Sequence, residues 1–309
     1  MRYFILALFF VSNTALSLPE SRAVENYRVV IERCFTRQDS HQIGLRRWQQ
    51  EGRDYVLLVN ASTLETSVKQ MSDVRCVRLS KDQFLNEKTR YSEALKSQWL
   101  GALDPENAGI HRPSRDYRGS FVTIDLCPSK RNLDQEFFER LKEELRPSET
   151  INIAVSGKWI ESHRSDFAWL RDQEKNQRLA IHWLNHSWTH PYVRGVPNSK
   201  NFLLTPGVDF ESEVLETEKI LLNYNVVPSV FFRFPGLVAN EALMARLTEF
   251  GLVAVGSDAW IGKGESPKPG SVVLLHGNGN ETKALSKFLN YLMLGQVSFP
   301  MRSLIDFEF

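Results

Sequence analysis

Residues 178–191 read RLAIHWLNHSWTHP, an apolar run that passes directly into two histidines four residues apart, His186 and His190, followed by Pro191. The first half, residues 178–185, has the length and apolar content of a buried strand. The second half puts chemically useful side chains where that strand would end. His182, His186 and His190 are three of only seven histidines in 309 residues, so the concentration invites a reason. Histidines at i and i+4 can face one way on a helical turn and clamp a metal ion. A pair packed under Trp188 would look the same in sequence. His182, inside the strand, reads as structural or as a support for His186.

The same arrangement recurs on both sides of this stretch. SFVTID (120–125), TINIAVS (150–156), VPSVFFRF (227–234), LVAVGS (252–257) and SVVLLHG (271–277) read as further strands. Between them lie helical patterns at 132–145, 209–224, 240–251 and 281–294. The first has Leu133, Phe137, Leu141 and Leu145 on one face, with Asn132 and Gln135 placed as a capping box; in the third, Asn240 and Gly251 are placed as caps. Six apolar strands with helices between most of them predict parallel strands covered by helices. A closed α/β barrel fits best, with a doubly wound sheet as the alternative. No glycine fingerprint for a dinucleotide follows any strand. Read this way, Asp125 ends the first strand, His186 follows the third, Arg233 ends the fourth, Asp258 follows the fifth and His276 ends the sixth. In an α/β barrel all of these ends open on one face, where active sites are built.

The order and spacing of these residues resemble the polysaccharide deacetylases, the NodB-type carbohydrate esterases, which carry five short motifs. Their counterparts here are TIDLCP (123–128), HSWTHP (186–191), RFPG (233–236), SDAW (257–260) and LLHG (274–277), and the resemblance covers about residues 119–295. It implies a distorted (β/α) barrel that removes N-acetyl groups from an aminosugar polysaccharide such as peptidoglycan or a chitin-like polymer. It also implies a divalent metal, usually zinc, on His186 and His190. Asp125 would be the general base and His276 the general acid. Asp258 would hold His276 protonated and Arg233 would tune Asp125, with Gly236 offering its NH to the oxyanion and Trp260 lining the substrate site. Two departures stand out. Leu126 occupies the position of a metal-binding aspartate, and Gly236 that of a tyrosine. The missing ligand leaves Asp125, Asn185 or Asp166 as substitutes, or a site that binds glycan without turnover. Cys127 is a further candidate, ranked last because its side chain is expected to point away from the face of Asp125. Asp at 126 is expected to tighten metal binding if that position faces His186 and His190. A hydrolase of a different amide is the third function class.

The rest of the chain bounds the setting. Formal net charge is +1, and no run of like charge suggests nucleic acid as a partner. Arg2, the apolar run 3–11 and the small residues Ala15 and Ser17 read as a signal peptide over 1–17, too short to span a bilayer, with no later transmembrane segment. Residues 18–103 read as a small α/β module: strands YRVVIERCF, DYVLLVN and VRCVRLS, a short helix over 64–71 and a longer one over 81–103. A polar, Pro- and Gly-bearing linker, 104–118, separates it from the deacetylase-like domain, 119–309. Of three cysteines, Cys34 and Cys76 lie in the module and are the likelier disulfide in an oxidising compartment, free thiols being the alternative. Export predicts a mature chain starting near Leu18. N-terminal sequencing of secreted or periplasmic protein checks this, and intact 1–17 on cytoplasmic protein would contradict it.

Overall fold

The structure, a computed structural model, describes residues 23–36, 41–101, 106–113 and 117–309. The expected signal segment lies outside the described residues. Among those described, no helix is long and apolar enough to cross a membrane.

The N-terminal module is built on an antiparallel sheet of β1 (Glu25–Phe35), β2 (Gln42–Gln50), β3 (Arg53–Asn60), β4 (Thr66–Gln70) and β5 (Arg75–Arg78), in the order β4-β3-β2-β1-β5. Two of these strands differ from expectation. The segment expected as a helix over 64–71 forms β4, because its alternating Thr66 and Val68 pair along β3, Val59 opposite Thr66 and Leu57 opposite Val68. Strand β2 escapes a hydropathy reading because Gly44, Arg46 and Arg47 interrupt it. Arg46 is nevertheless fully buried. Cys34 and Cys76 oppose each other on β1 and β5 and form a disulfide, with Cα atoms 4.1 Å apart. The helix expected over 81–103 divides into α1 (Lys81–Leu85) and α2 (Arg90–Gly101). Ser80 and Gln83 form a capping box on the first. Thr89 and Ser92 exchange backbone-to-hydroxyl hydrogen bonds of 3.2 Å that restart the second.

Beyond residue 117 the strands and helices alternate: β6 (Phe121–Leu126), α3 (Gln135–Glu144), β7 (Thr150–Val155), α4 (Gly157–Ser162), α5 (Arg164–Lys175), β8 (Ala180–Asn185), α6 (Phe210–Asn223), β9 (Phe231–Phe232), α7 (Glu241–Glu249), β10 (Val253–Ala254), β11 (Ala259–Trp260), β12 (Val272–His276) and α8 (Thr282–Met293). All seven strands are parallel, in the order β10-β9-β8-β7-β6-β12-β11. The edge strands β10 and β11 are consecutive in the chain. Laid flat, seven strands would span about 29 Å. The five steps from Ala254 to Ala259 reach at most about 18 Å. The sheet is therefore curled into a distorted, incompletely closed (β/α) barrel. Residues 107–112, expected as linker, run beside the closing link: Ile110 bridges Val255, and Gly109, at φ +108°, lies so close to Ala254 that a Cβ would not fit.

Helix starts follow their capping chemistry in part. Asn240 caps α7 as anticipated from sequence, and Asp209 caps α6 in the same way. Helix α3 begins later than expected. Its N-cap is Asp134 rather than Asn132, while the NH of Leu133 and the amide of Gln135 donate to Asp166.

The module closes the N-terminal end of the barrel. Ile43, Leu45, Val59, Tyr91 and Leu95 share one apolar cluster with Phe121, Val230, Val253 and Val272, which begin or precede their strands, and with Leu304 and Phe307 of the C-terminal segment. At its margin, Arg46 donates to Glu218 of α6 through Nε (2.6 Å) and Nη2 (2.9 Å) and to the carbonyl of Phe250 (2.7 Å). Tyr27 also donates to Glu218. A fully buried guanidinium depends on that carboxylate. Glu218→Gln is expected to destabilise the protein by about 3–5 kcal/mol, whereas an apolar double replacement of Arg46 and Glu218 recovers most of the loss. Urea denaturation of the three proteins checks this.

Candidate active site

Parallel register delivers the site. Asp125 pairs with His276 across β6 and β12. On the other side, the His186 NH donates to the carbonyl of Val155 and the Arg233 NH to that of Asn185, so the ladder continues past the end of β8. Asp125, His186, Arg233 and His276 thus gather at the C-terminal edge. Side chains alternate along β6: Val122, Ile124 and Leu126 enter an apolar cluster with Phe138, Trp159 and Phe288, while Asp125 faces the site.

The loop after β8 is not the helical turn that the i, i+4 spacing suggested. Ser187 (φ +66°) and His190 (φ +48°) adopt left-handed conformations. Glu213 of α6 stabilises the loop by accepting from the NH groups of Trp188 (3.0 Å) and Thr189 (2.9 Å) and from the Thr189 hydroxyl. Asn185 Oδ1 accepts from the NH of Ser187. The ring centroids of His186 and His190 still lie 4.7 Å apart. His186 Nδ1 is 2.9 Å from the carbonyl of Arg233, which can only accept, so Nδ1 carries the proton and Nε2 presents its lone pair. Burial pushes the His186 pKa down, favouring this neutral form. Nε2 lies 3.5 Å from Asp125 Oδ2 and 3.4 Å from Cys127 Sγ.

Cys127 therefore faces the site, contrary to expectation. Positions 125 and 127 have the same parity on a strand and share a face. Ligand atoms of Cys127, His186 and His190 all lie within 4.8 Å of one another. Ordinary zinc–sulfur and zinc–nitrogen bonds in a tetrahedral site put ligand atoms about 3.4–3.6 Å apart, so this donor set fits a divalent metal. Burial would raise the Cys127 thiol, but His190 and His276 outweigh it and bring its pKa down to about 7.

The other candidates separate clearly. Arg233 is buried, with Nη1 3.5 Å from Asp125 Oδ1 and Nη2 donating to Thr123 Oγ1 at 2.8 Å. His276 Nδ1 lies 3.2 Å from Glu281 Oε2. Burial pulls the His276 pKa down, but Cys127, Glu281 and Asp125 outweigh it and raise it well above 6.5. The expected partner, Asp258, is elsewhere. It accepts from the Val272 NH (2.8 Å), from Ser271 (3.1 Å) and from Arg112 (2.9 Å). Val272 starts β12 and His276 ends it, about 13 Å away. The fifth strand, β10, stops at Ala254, and Asp258 precedes β11 at the low end of the sheet. Glu281, five residues beyond His276 in sequence, takes the place expected of Asp258; its carboxylate also lies 3.4 Å from Trp260 Nε1. Trp260 flanks His276, with ring centroids 5.5 Å apart.

Of the other substitute ligands, Asn185 donates to Val214 and Asp166, in the first turn of α5, accepts from Leu133 and Gln135, and neither joins the group of Cys127, His186 and His190. His182 contacts Asn152 and Ser303, as a structural residue would. Gly236, at φ +63°, has the Phe202 ring against it: an added Cβ would fall 2.5 Å from Cζ. Phe202 also meets Tyr192 (5.4 Å) and the edge of His190 (6.1 Å), so an aromatic ring lies beside position 236.

No family model matches the chain. Its neighbours among solved structures are family 4 carbohydrate esterases. It is similar to one from Bacillus anthracis at 20% identity and TM-score 0.48, covering 72% of this chain and 93% of that one. It is similar to another from Bacillus subtilis at 14% and 0.47, covering 68% and 88%. A pseudoenzyme of the same family from Bacillus anthracis is also among them, at 15% and 0.44, covering 67% and 78%.

Leu126 is fully buried among apolar residues, away from both histidines. Leu126→Asp is accordingly expected to leave metal affinity unimproved and to cost about 3 kcal/mol or more through an unpaired buried carboxylate. Urea denaturation and zinc titration of the variant check both parts.

Proposed function

We propose that the protein is an exported, metal-dependent hydrolase that removes N-acetyl groups from an aminosugar polysaccharide of the peptidoglycan or chitin kind, as a member of the polysaccharide deacetylase family. The observation that carries this reading is the convergence of Asp125, His186, His190, Arg233 and His276, from separate strand ends, on one edge of a curled parallel sheet. The signal-like start and the Cys34–Cys76 disulfide support export.

A divalent cation held by His186 and His190 would polarise the acetyl carbonyl and acidify water. Asp125 takes the proton of the water whose oxygen attacks the carbonyl carbon. Arg233 lies against the far oxygen of Asp125 and keeps that carboxylate oriented. The Gly236 NH donates to the oxyanion. As the carbon–nitrogen bond breaks, His276 gives its proton to the leaving nitrogen, so acetate and a free amine result. Glu281 holds the His276 proton until that step. Trp260, Phe202 and the exposed Tyr192 offer ring faces to sugar.

Leu126 supports one second reading, a catalytically impaired relative that binds glycan without turnover, because it removes the carboxylate expected of the metal site. Acetate release from peptidoglycan, chitin oligomers and an acetylated exopolysaccharide separates the two. The hydrolase reading expects release from at least one. Binding without release from any would favour the second. His276→Ala is expected to lower the rate by about 10²–10⁴-fold. His276 must be protonated to act, so activity falls as pH rises through its raised pKa. Glu281→Gln removes a group that raises this pKa and should shift the alkaline limb of the pH–rate profile to lower pH. Asp258→Asn should leave that limb in place.

A further inference from the structure

The geometry points to Cys127 as the third protein ligand of the metal, making a Cys-His-His centre in which a thiolate replaces the carboxylate lost at Leu126. This deepens the hydrolase reading and rests on it only for the presence of a metal. With Cys34 and Cys76 bonded to each other, Cys127 is the one cysteine left free. A free thiol buried beside two imidazoles is an unusual thing to leave in an exported protein unless something holds it.

Three observations argue that this thiol is built into a site. First, its sulfur lies 3.4 Å from His186 Nε2, close to the separation of a sulfur and a nitrogen on one tetrahedral zinc. Second, the supporting contacts are those that fix ligands. The Arg233 carbonyl holds His186 Nδ1 at 2.9 Å, and the buried Asn278 donates to the Cys127 carbonyl at 2.9 Å. Third, no carboxylate joins the group formed by Cys127, His186 and His190 among the described residues. Asp125 reaches His186 with one oxygen while its other faces Arg233, which leaves it placed as the base.

The exchange preserves the electrostatics of the site. A thiolate brings the same single negative charge that the absent aspartate would have brought, so two neutral histidines and one anion still face a divalent ion. It changes the preference among metals. Sulfur favours zinc over the harder magnesium and manganese. Three protein ligands leave one tetrahedral position open, as a catalytic zinc requires.

Cobalt(II) titration of chelator-treated, disulfide-intact protein tests the assignment. The expected result is one equivalent of cobalt with a thiolate-to-cobalt charge-transfer band in the near ultraviolet. Cys127→Ser should abolish the band and weaken zinc by more than the roughly 10–100-fold cost of an outer-shell change. Cys127→Asp should bind zinc and cobalt but lack the band, and it serves should the serine variant fail to fold. Stoichiometric cobalt without the band, zinc affinity unchanged in Cys127→Ser, or no metal binding by folded wild-type protein would each overturn the assignment. The band without acetate release from any glycan would uphold the metal centre and count against the hydrolase reading alone.

Discussion

The alternation of side chains along β6 is the constraint on which the site depends. Val122, Ile124 and Leu126 are committed to the apolar layer under α3 and α8, and none can leave without opening a cavity there. Thr123, Asp125 and Cys127 are therefore committed to the other face. Thr123 anchors Arg233, Arg233 lies against Asp125, and Cys127 meets His186. Three successive inward positions thus carry an orienting hydroxyl, a carboxylate and a thiol in fixed order. A one-residue change of register would exchange this set for three aliphatic side chains.

That strand stays in register because both ends of the barrel are specified differently. At the N-terminal end, apolar residues of the module and the C-terminal segment seal the sheet, and the buried Arg46–Glu218 pair joins β2 to α6. Helix α6 in turn presents Glu213, one end of which caps the loop carrying His190. Among the described residues the module contributes none to the site, yet through α6 it is connected to the loop that carries His190, a proposed metal ligand. At the C-terminal end the polar groups Asp125, His186, Arg233 and His276 collect instead.

The candidate site was legible in sequence wherever a long, buried strand ended in a polar residue. Asp125 is the penultimate residue of β6, His276 the last of β12, and His186 directly follows β8, each at the end of a strand of five or six mostly apolar residues. Arg233 was legible for a different reason, since β9 has only two residues but lies within a longer apolar stretch. Asp258 was misplaced because β10 also has two residues, so the apolar run over 252–257 overstated the strand and its end. Glu281 carried no hydrophobic signal at all. It belongs to a glycine-rich turn, and only folding brings it back to His276. In the module, β2 was hidden by a buried arginine, whose burial depends on a glutamate 172 residues away. Charged residues that are buried through distant partners are invisible to local patterning.

The wall beside His190 shows how one sequence departure, Gly236, follows from its neighbour. Phe202 sits at φ +52° with its ring against Gly236 and its neighbours His190 and Tyr192. A side chain at 236 would occupy the volume that this ring already fills, so the glycine follows from the phenylalanine. The loop from 186 to 202 thereby supplies both histidines and the aromatic surface beside them. Asn201, fully buried, ties that loop together by bonding the backbone of Val193 and Val196. The histidine pair proposed for the metal and the aromatic surface proposed for sugar are consequently one packed unit, and a change in the aromatic wall would be felt at His190 before it reached the strands that hold Asp125 and His276.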